Sequence, residues 1–141
     1  MRHGATLLEM VLALALITLA MAIALPAFGR LLDGMAVRGA AAEAHALFGT
    51  ARHVAIHRAT PVTVELDTAR ARIVVRASAD TVRARDLGSI HGVHLAATRA
   101  TTVYAASGLG YGASNLTLVI RRGDAADTLT VSRLGRVRRN R

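Results

Sequence analysis

The sequence predicts an α+β protein, one long N-terminal helix followed by a domain of antiparallel strands, and three observations carry that expectation. Residues 5–28 form an apolar run whose one charged residue is Glu9. From Phe28 to Ala55 the apolar residues recur at helical spacing. Beyond Thr60 and Pro61, short stretches alternate apolar and polar residues at a period of two, which is the strand period.

The apolar run is long enough to span a bilayer, for which about 20 residues suffice. It is apolar on every side, as a helix facing lipid must be. Phe28, Leu31, Leu32 and Met35 then fall at i, i+3, i+4 and i+7, and Leu47, Phe48, Ala51, Val54 and Ala55 repeat the spacing, so both sets predict an apolar stripe. Arg30, Arg38, Glu43, Arg52 and Arg58 lie mostly off it. The helix is expected over 5–59, ended by Thr60 and Pro61. Gly29, Gly34 and Gly39 each weaken a helix by roughly 1 kcal/mol relative to alanine, so with Pro26 they mark a pliable section.

Strands are expected at 61–66 and 71–76 with a turn at 67–70. Weaker candidates cover 92–96 and 102–105. A further hairpin joins 116–120 to 128–131 through Arg122, Gly123 and Asp124, and a last short strand covers 136–138. Residues 77–91 read as a variable loop. Strands packed on the amphipathic half of a helix make an α+β domain.

The 141 residues suit one such domain plus an anchor. There is no cysteine, which excludes disulfides and thiolate metal sites. With two Phe, two Tyr and no Trp, the core must come from Val, Leu, Ile and Ala. The net charge of +9, with arginine as every basic side chain, favours anionic partners such as nucleic acid, lipid headgroups or acidic protein faces; a solvated basic surface accounts for it equally well.

Three readings compete for the N-terminus. A cleaved secretory signal has the right basic start and apolar stretch, with Ala22, Ile23 and Ala24 as a small-residue cleavage site. Glu9 opposes it, since a carboxylate at mid-membrane depth costs roughly 2.5–3.5 kcal/mol. A plain single-span anchor would let Glu9 reach the headgroups. The third reading is a processed leader. Arg2 and Gly4 precede Thr6 and Glu9, and this pattern resembles the type IV pilin and type II secretion pseudopilin families. There a short basic leader ends in Gly, and Thr and Glu stand second and fifth in the processed chain. Ala5 departs from the Phe or Met more usual in that place. The Pro26 position also matches the family.

The resemblance implies a pilin-like fold with a leader at 1–4, a transmembrane and assembly helix at 5–28, an amphipathic half at 29–59 and a globular domain at 60–141. It implies cleavage between Gly4 and Ala5 by a membrane-embedded prepilin peptidase, and N-methylation of Ala5. Glu9 of one subunit would then neutralise the Ala5 amine of its neighbour, a pairing that offsets the cost of either charge alone. Thr6, Glu9 and Pro26 are the assembly residues. Arg2 before the span agrees with a cytoplasmic N-terminus and a periplasmic domain at the bacterial inner membrane.

At the C-terminus, five of the last nine residues are arginine: Arg133, Arg136, Arg138, Arg139 and Arg141. The Gly-Arg-Val-Arg run, with the Ala55–Ile56 to Pro61–Val64 passage, resembles the GspH/FimT branch. Two functions follow from that resemblance. One is a minor pseudopilin in type II secretion, partnered by major and minor pseudopilins or pilins and the inner-membrane assembly platform. The other is a minor type IV pilin that binds DNA during uptake, with those five arginines, and Arg121 or Arg122, neutralising phosphates independently of sequence. Arg136 and Arg138, two apart on a strand, share a face.

Other motifs read as structural. His53 and His57, four apart on the helix, have a metal-capable spacing but no glutamate following His53. His91 and His94 flank Gly92 and are also expected on the surface. The Gly-Leu-Gly-Tyr-Gly run at 108–112 lacks the Lys-Ser/Thr ending of a phosphate loop and reads as a turn. No residue pattern calls for catalysis, a resident metal or a cofactor.

Overall fold

The computed structural model describes residues 6–112 and 115–140. Its first element, α1, runs Leu7–Arg58 and passes through Pro26, Gly29, Gly34 and Gly39 as one helix. The chain divides into two compact units after Leu32.

In the first unit the helix is apolar all round and its side chains are exposed. The segment is long and apolar enough to cross a membrane. Phe28, Leu31 and Leu32 stay exposed there, as does Met35 just beyond. Helical spacing alone marks these four as an apolar stripe. Spacing gives the face but not what covers it.

In the second unit α1 buries Val37, Ala40, Ala41, Ala44, Leu47, Phe48, Ala51 and Ala55. Alanine dominates this face, so the helix backbone lies close to its neighbours, while Leu47 and Phe48 fill the remaining space. Arg58 ends the helix one residue earlier than expected; Ala59 turns to a positive φ of 51° and donates its N–H to the Ile56 carbonyl.

Eight strands follow, β1 (Val62–Asp67), β2 (Arg72–Ala77), β3 (Asp80–Asp86), β4 (His94–Ala97), β5 (Thr101–Tyr104), β6 (Leu116–Arg122), β7 (Ala125–Val131) and β8 (Val137–Asn140), with a short helix α2 (Leu87–His91) between β3 and β4. They form two four-stranded antiparallel sheets, ordered β3-β2-β1-β5 and β4-β6-β7-β8. Alternation sets the inward faces: Val62, Val64 and Leu66 on β1, Leu116, Leu118 and Ile120 on β6, Leu129 and Val131 on β7. All join the α1 residues in one core.

The loop expected at 77–91 is the main correction. It holds β3 and α2. β3 is an edge strand of alternating Val82, Arg83, Ala84 and Arg85, and its charges hid it from an apolar count; such charges are what keep an edge from pairing further. α2 carries its own stop and start signals. Asp86 caps it, accepting the Ser89 N–H at 2.9 Å, and Gly92 ends it at φ 63°, donating to the Gly88 carbonyl. The Ser89 amide holds the Asp86 carboxyl below its ordinary value.

Candidate functional site

Of the residues expected to serve assembly, Thr6 and Glu9 lie at the start of α1. Gly4 and Ala5 lie outside the described residues. The Thr6 hydroxyl accepts the Glu9 N–H at 3.3 Å, and the Thr6 carbonyl accepts the Met10 N–H at 3.1 Å. Thr6 thus caps the helix with Glu9 at the N3 position, a cap that the Thr-x-x-Glu spacing itself could have revealed. The Glu9 carboxylate is exposed in the first turn, where the positive end of the helix dipole favours an anion. Capping and charge therefore act at one place. Pro26 sits inside the helix without ending it.

The second group is the arginine cluster, built on the β7–β8 turn. Ser132 and Arg136 close that turn through the Arg136 carbonyl, and Gly135 takes a φ of 71° within it. A side chain at 135 would also run into the Gly108 carbonyl, so both conformation and space require glycine there. Arg133, Arg136 and Arg138 are exposed. Arg139 behaves differently: its guanidinium turns to buried Asp127, with Nε 2.6 Å from Oδ2. Arg122 is engaged too, pairing with Asp33 at 2.8 Å and donating to the His91 carbonyl. Arg121 is exposed, and Arg141 lies outside the described residues. The structure therefore sorts a uniform run of arginines into exposed ones and tied ones, by strand alternation and by the few carboxylates within reach.

The 108–112 run is a junction between the sheets. Gly110 bridges to Tyr104 and donates to the Arg133 carbonyl, and Tyr111 donates to the Val103 carbonyl. Beneath it Tyr104 is buried, and burial pushes its phenol up to about 12 against the opposing pull of Arg52.

His53 and His57 are exposed neighbours with ring centroids 6.1 Å apart. His94 is exposed, but His91 is not. Its Nε2 lies 3.2 Å from Glu43, and the ring packs over Gly39, where a Cβ would come within 3.0 Å of it. Gly39 is thus explained by the approach of a ring, in addition to any effect on helix pliability. Among the described residues no group of three or more potential metal ligands is present.

The family model described as type II transport protein GspH matches residues 40–135, which is most of the second unit. The chain belongs to the GspH family. The likeness extends to solved structures. The minor pilin FimU of the type IV system of Pseudomonas aeruginosa superposes with a TM-score of 0.64 at 19% identity, over 74% of this chain and 88% of that one. The minor pseudopilin EpsH of the type 2 secretion system of Vibrio cholerae gives 0.58 at 15% identity, over 74% and 95%. No curated protein sequence matches significantly. The GspH-family chain therefore shares the pilin-like fold, a long N-terminal helix packed on antiparallel sheet.

Proposed function

We propose that this chain is a minor pseudopilin of a type II secretion system, contributing to protein export across the outer membrane as a structural subunit and carrying out no catalysis itself. The family match over 40–135 is the observation that carries the reading. The fully exposed apolar helix before Leu32 supports it, because such a surface requires lipid or neighbouring helices. On this reading the leader 1–4 is removed by prepilin peptidase and Ala5 is methylated. Residues 5–28 anchor the chain in the inner membrane, with 29–59 and the domain at 60–141 on the periplasmic side. The Ala5 amine of one subunit then pairs with Glu9 of another. Intact-mass measurement of membrane-extracted protein tests it. The expected result is loss of Met1 to Gly4 and gain of one methyl group. A mature chain beginning near Ala27 would overturn it.

A second reading, DNA contact by a type IV minor pilin, is favoured by the exposed Arg133, Arg136 and Arg138. It expects salt-sensitive binding of duplex DNA lost on Arg136→Ala with Arg138→Ala. Absence of binding at low salt removes it.

A further inference from the structure

Between the second half of α1 and the start of β8 lies a groove of about 470 Å³, walled by His45, Arg52, Arg136 and Arg138. Among the described residues no carboxylate lines it. Around the β7–β8 turn a second groove, of about 380 Å³, is lined by Arg99 and Arg133, again without a carboxylate.

Arg52 is the unusual member. Its Nε is buried and has no hydrogen-bond acceptor among the described residues. It lies beside the two tight glycines, 3.2 Å from where a Cβ at Gly108 would sit and 3.5 Å from one at Gly135. The side chain as a whole is only half-buried and lines the groove, so its charge is open to an acceptor from another molecule.

The surroundings narrow the choice of acceptor. Ile56, Leu109, Tyr111 and Leu134 are all exposed. They share this end of the domain: Ile56 abuts Gly108, and the Gly110–Arg133 hydrogen bond ties the loop at 108–112 to the turn that carries Leu134. A phosphodiester backbone offers aliphatic side chains nothing to bury. An acidic peptide with interspersed apolar residues matches both features.

A second copy of this chain is a poor source of such a peptide. Asp33, Glu43, Glu65 and Asp127 are already in ion pairs, and Asp67 and Asp86 accept local backbone N–H groups; the other acidic side chains, Glu9, Asp80 and Asp124, stand far apart in a chain of net charge +9, so it offers no acidic segment. We propose that the groove docks an acidic, partly apolar segment of a different filament protein. Its carboxylates are held by Arg52, Arg136 and Arg138, and its apolar side chains rest on Leu109 and Leu134. This rests on the reading of the chain as a filament subunit.

The test is fluorescence anisotropy on the full chain in detergent micelles. The probes are a labelled peptide alternating glutamate and leucine, its lysine–leucine counterpart, and a short duplex DNA. The glutamate peptide binds and the lysine peptide does not. Arg52→Gln weakens binding about tenfold, the loss expected for one charge-assisted contact. Arg136→Ala with Arg138→Ala, at exposed positions, does so without relying on a half-buried side chain. Leu134→Ser weakens it less. The melting temperature of Arg52→Gln is unchanged or higher, which a purely structural Arg52 would not allow.

Equal peptide binding by wild type and Arg52→Gln overturns the proposal. So does duplex DNA that displaces the peptide and depends equally on Arg52, which would make nucleic acid the occupant. The mass measurement separates the two failures. A methylated mature chain with no peptide binding sinks the docking site alone, and an unprocessed chain sinks the filament reading.

Discussion

Residues 7–32 and 33–58 of α1 belong to one continuous helix, yet they solve opposite problems. The first stretch has large apolar side chains on every face and buries none of them. The second carries charges and alanines, and it contributes eight residues to a closed core. Apolar content is therefore a poor guide to what stabilises this fold. Leucine-rich sequence without a polar face is a surface awaiting lipid or other helices. Alanine on one face, opposed by strands, is already a finished interface.

The sharpest way to break this comparison is to shorten one apolar side chain in each stretch. Phe48→Ala, at a fully buried site, should cost about 3–5 kcal/mol in unfolding of the domain, measured by denaturant titration in micelles. Leu16→Ala, at an exposed site, should stay within about 0.5 kcal/mol. Equal losses would show that the first stretch is held by the domain after all.

A smaller effect is expected at the pair that fastens β8. Asp127 is 4% exposed, whereas the Arg139 side chain is 27% exposed, so solvent already weakens the attraction between them. Arg139→Leu strands the carboxylate and should cost about 1–3 kcal/mol. Adding Asp127→Asn should recover most of that loss. Without recovery, the arginine acts through its packed stem and not its charge.

How much of this was legible in advance follows the same division. The second half of the long helix, β1, β2 and the β6–β7 hairpin were readable because their periodicity matches their burial. The division into two sheets was not readable, because strand order depends on partners remote in sequence: β4 joins β6 while β5 returns to β1. β3 was hidden by its arginines, although Asp86 and Gly92 bracketed α2 in plain view. At the arginine cluster the sequence gives charge but not its use. Arg138 and Arg139 are adjacent and chemically identical, and only strand alternation sends one to solvent and the other to Asp127. Arg52 carried no signal at all, since its isolation depends on two glycine loops brought together by both sheets.

The domain should also show its closure through pH. Buried Tyr104 keeps its proton to about 12, whereas the unfolded phenol releases it near 10. Over that interval the unfolded state binds fewer protons than the folded one, so stability falls as pH rises through it. Tyr104→Phe should flatten this alkaline arm. It should leave stability near neutral pH little changed, because the hydroxyl has no hydrogen-bond partner among the described residues. An unchanged alkaline arm would mean that Tyr104 is open to water and that the loop at 108–112 does not seal the sheets.

The smallest expected effect lies at the cap of α2 and has the opposite sign. The Ser89 amide most strongly favours ionised Asp86; desolvation opposes it, and the Ser89 hydroxyl, Arg72 and the Gly88 amide add to the Ser89 amide, so the folded carboxyl titrates below the unfolded one. Its contribution is present above the unfolded value of about 4 and is lost as pH falls through the folded value. Asp86→Asn keeps an acceptor for the helix start but removes the titration. The variant should therefore unfold less steeply in acid while differing little at neutral pH. Because the segment at 80–91 places Leu87 in the core and His91 against Glu43, the loss should appear as cooperative unfolding of the whole domain. A separate, earlier melting of that segment would show that β3 and α2 are appended to the domain and do not belong to it, moving them to the side of the comparison that depends on partners.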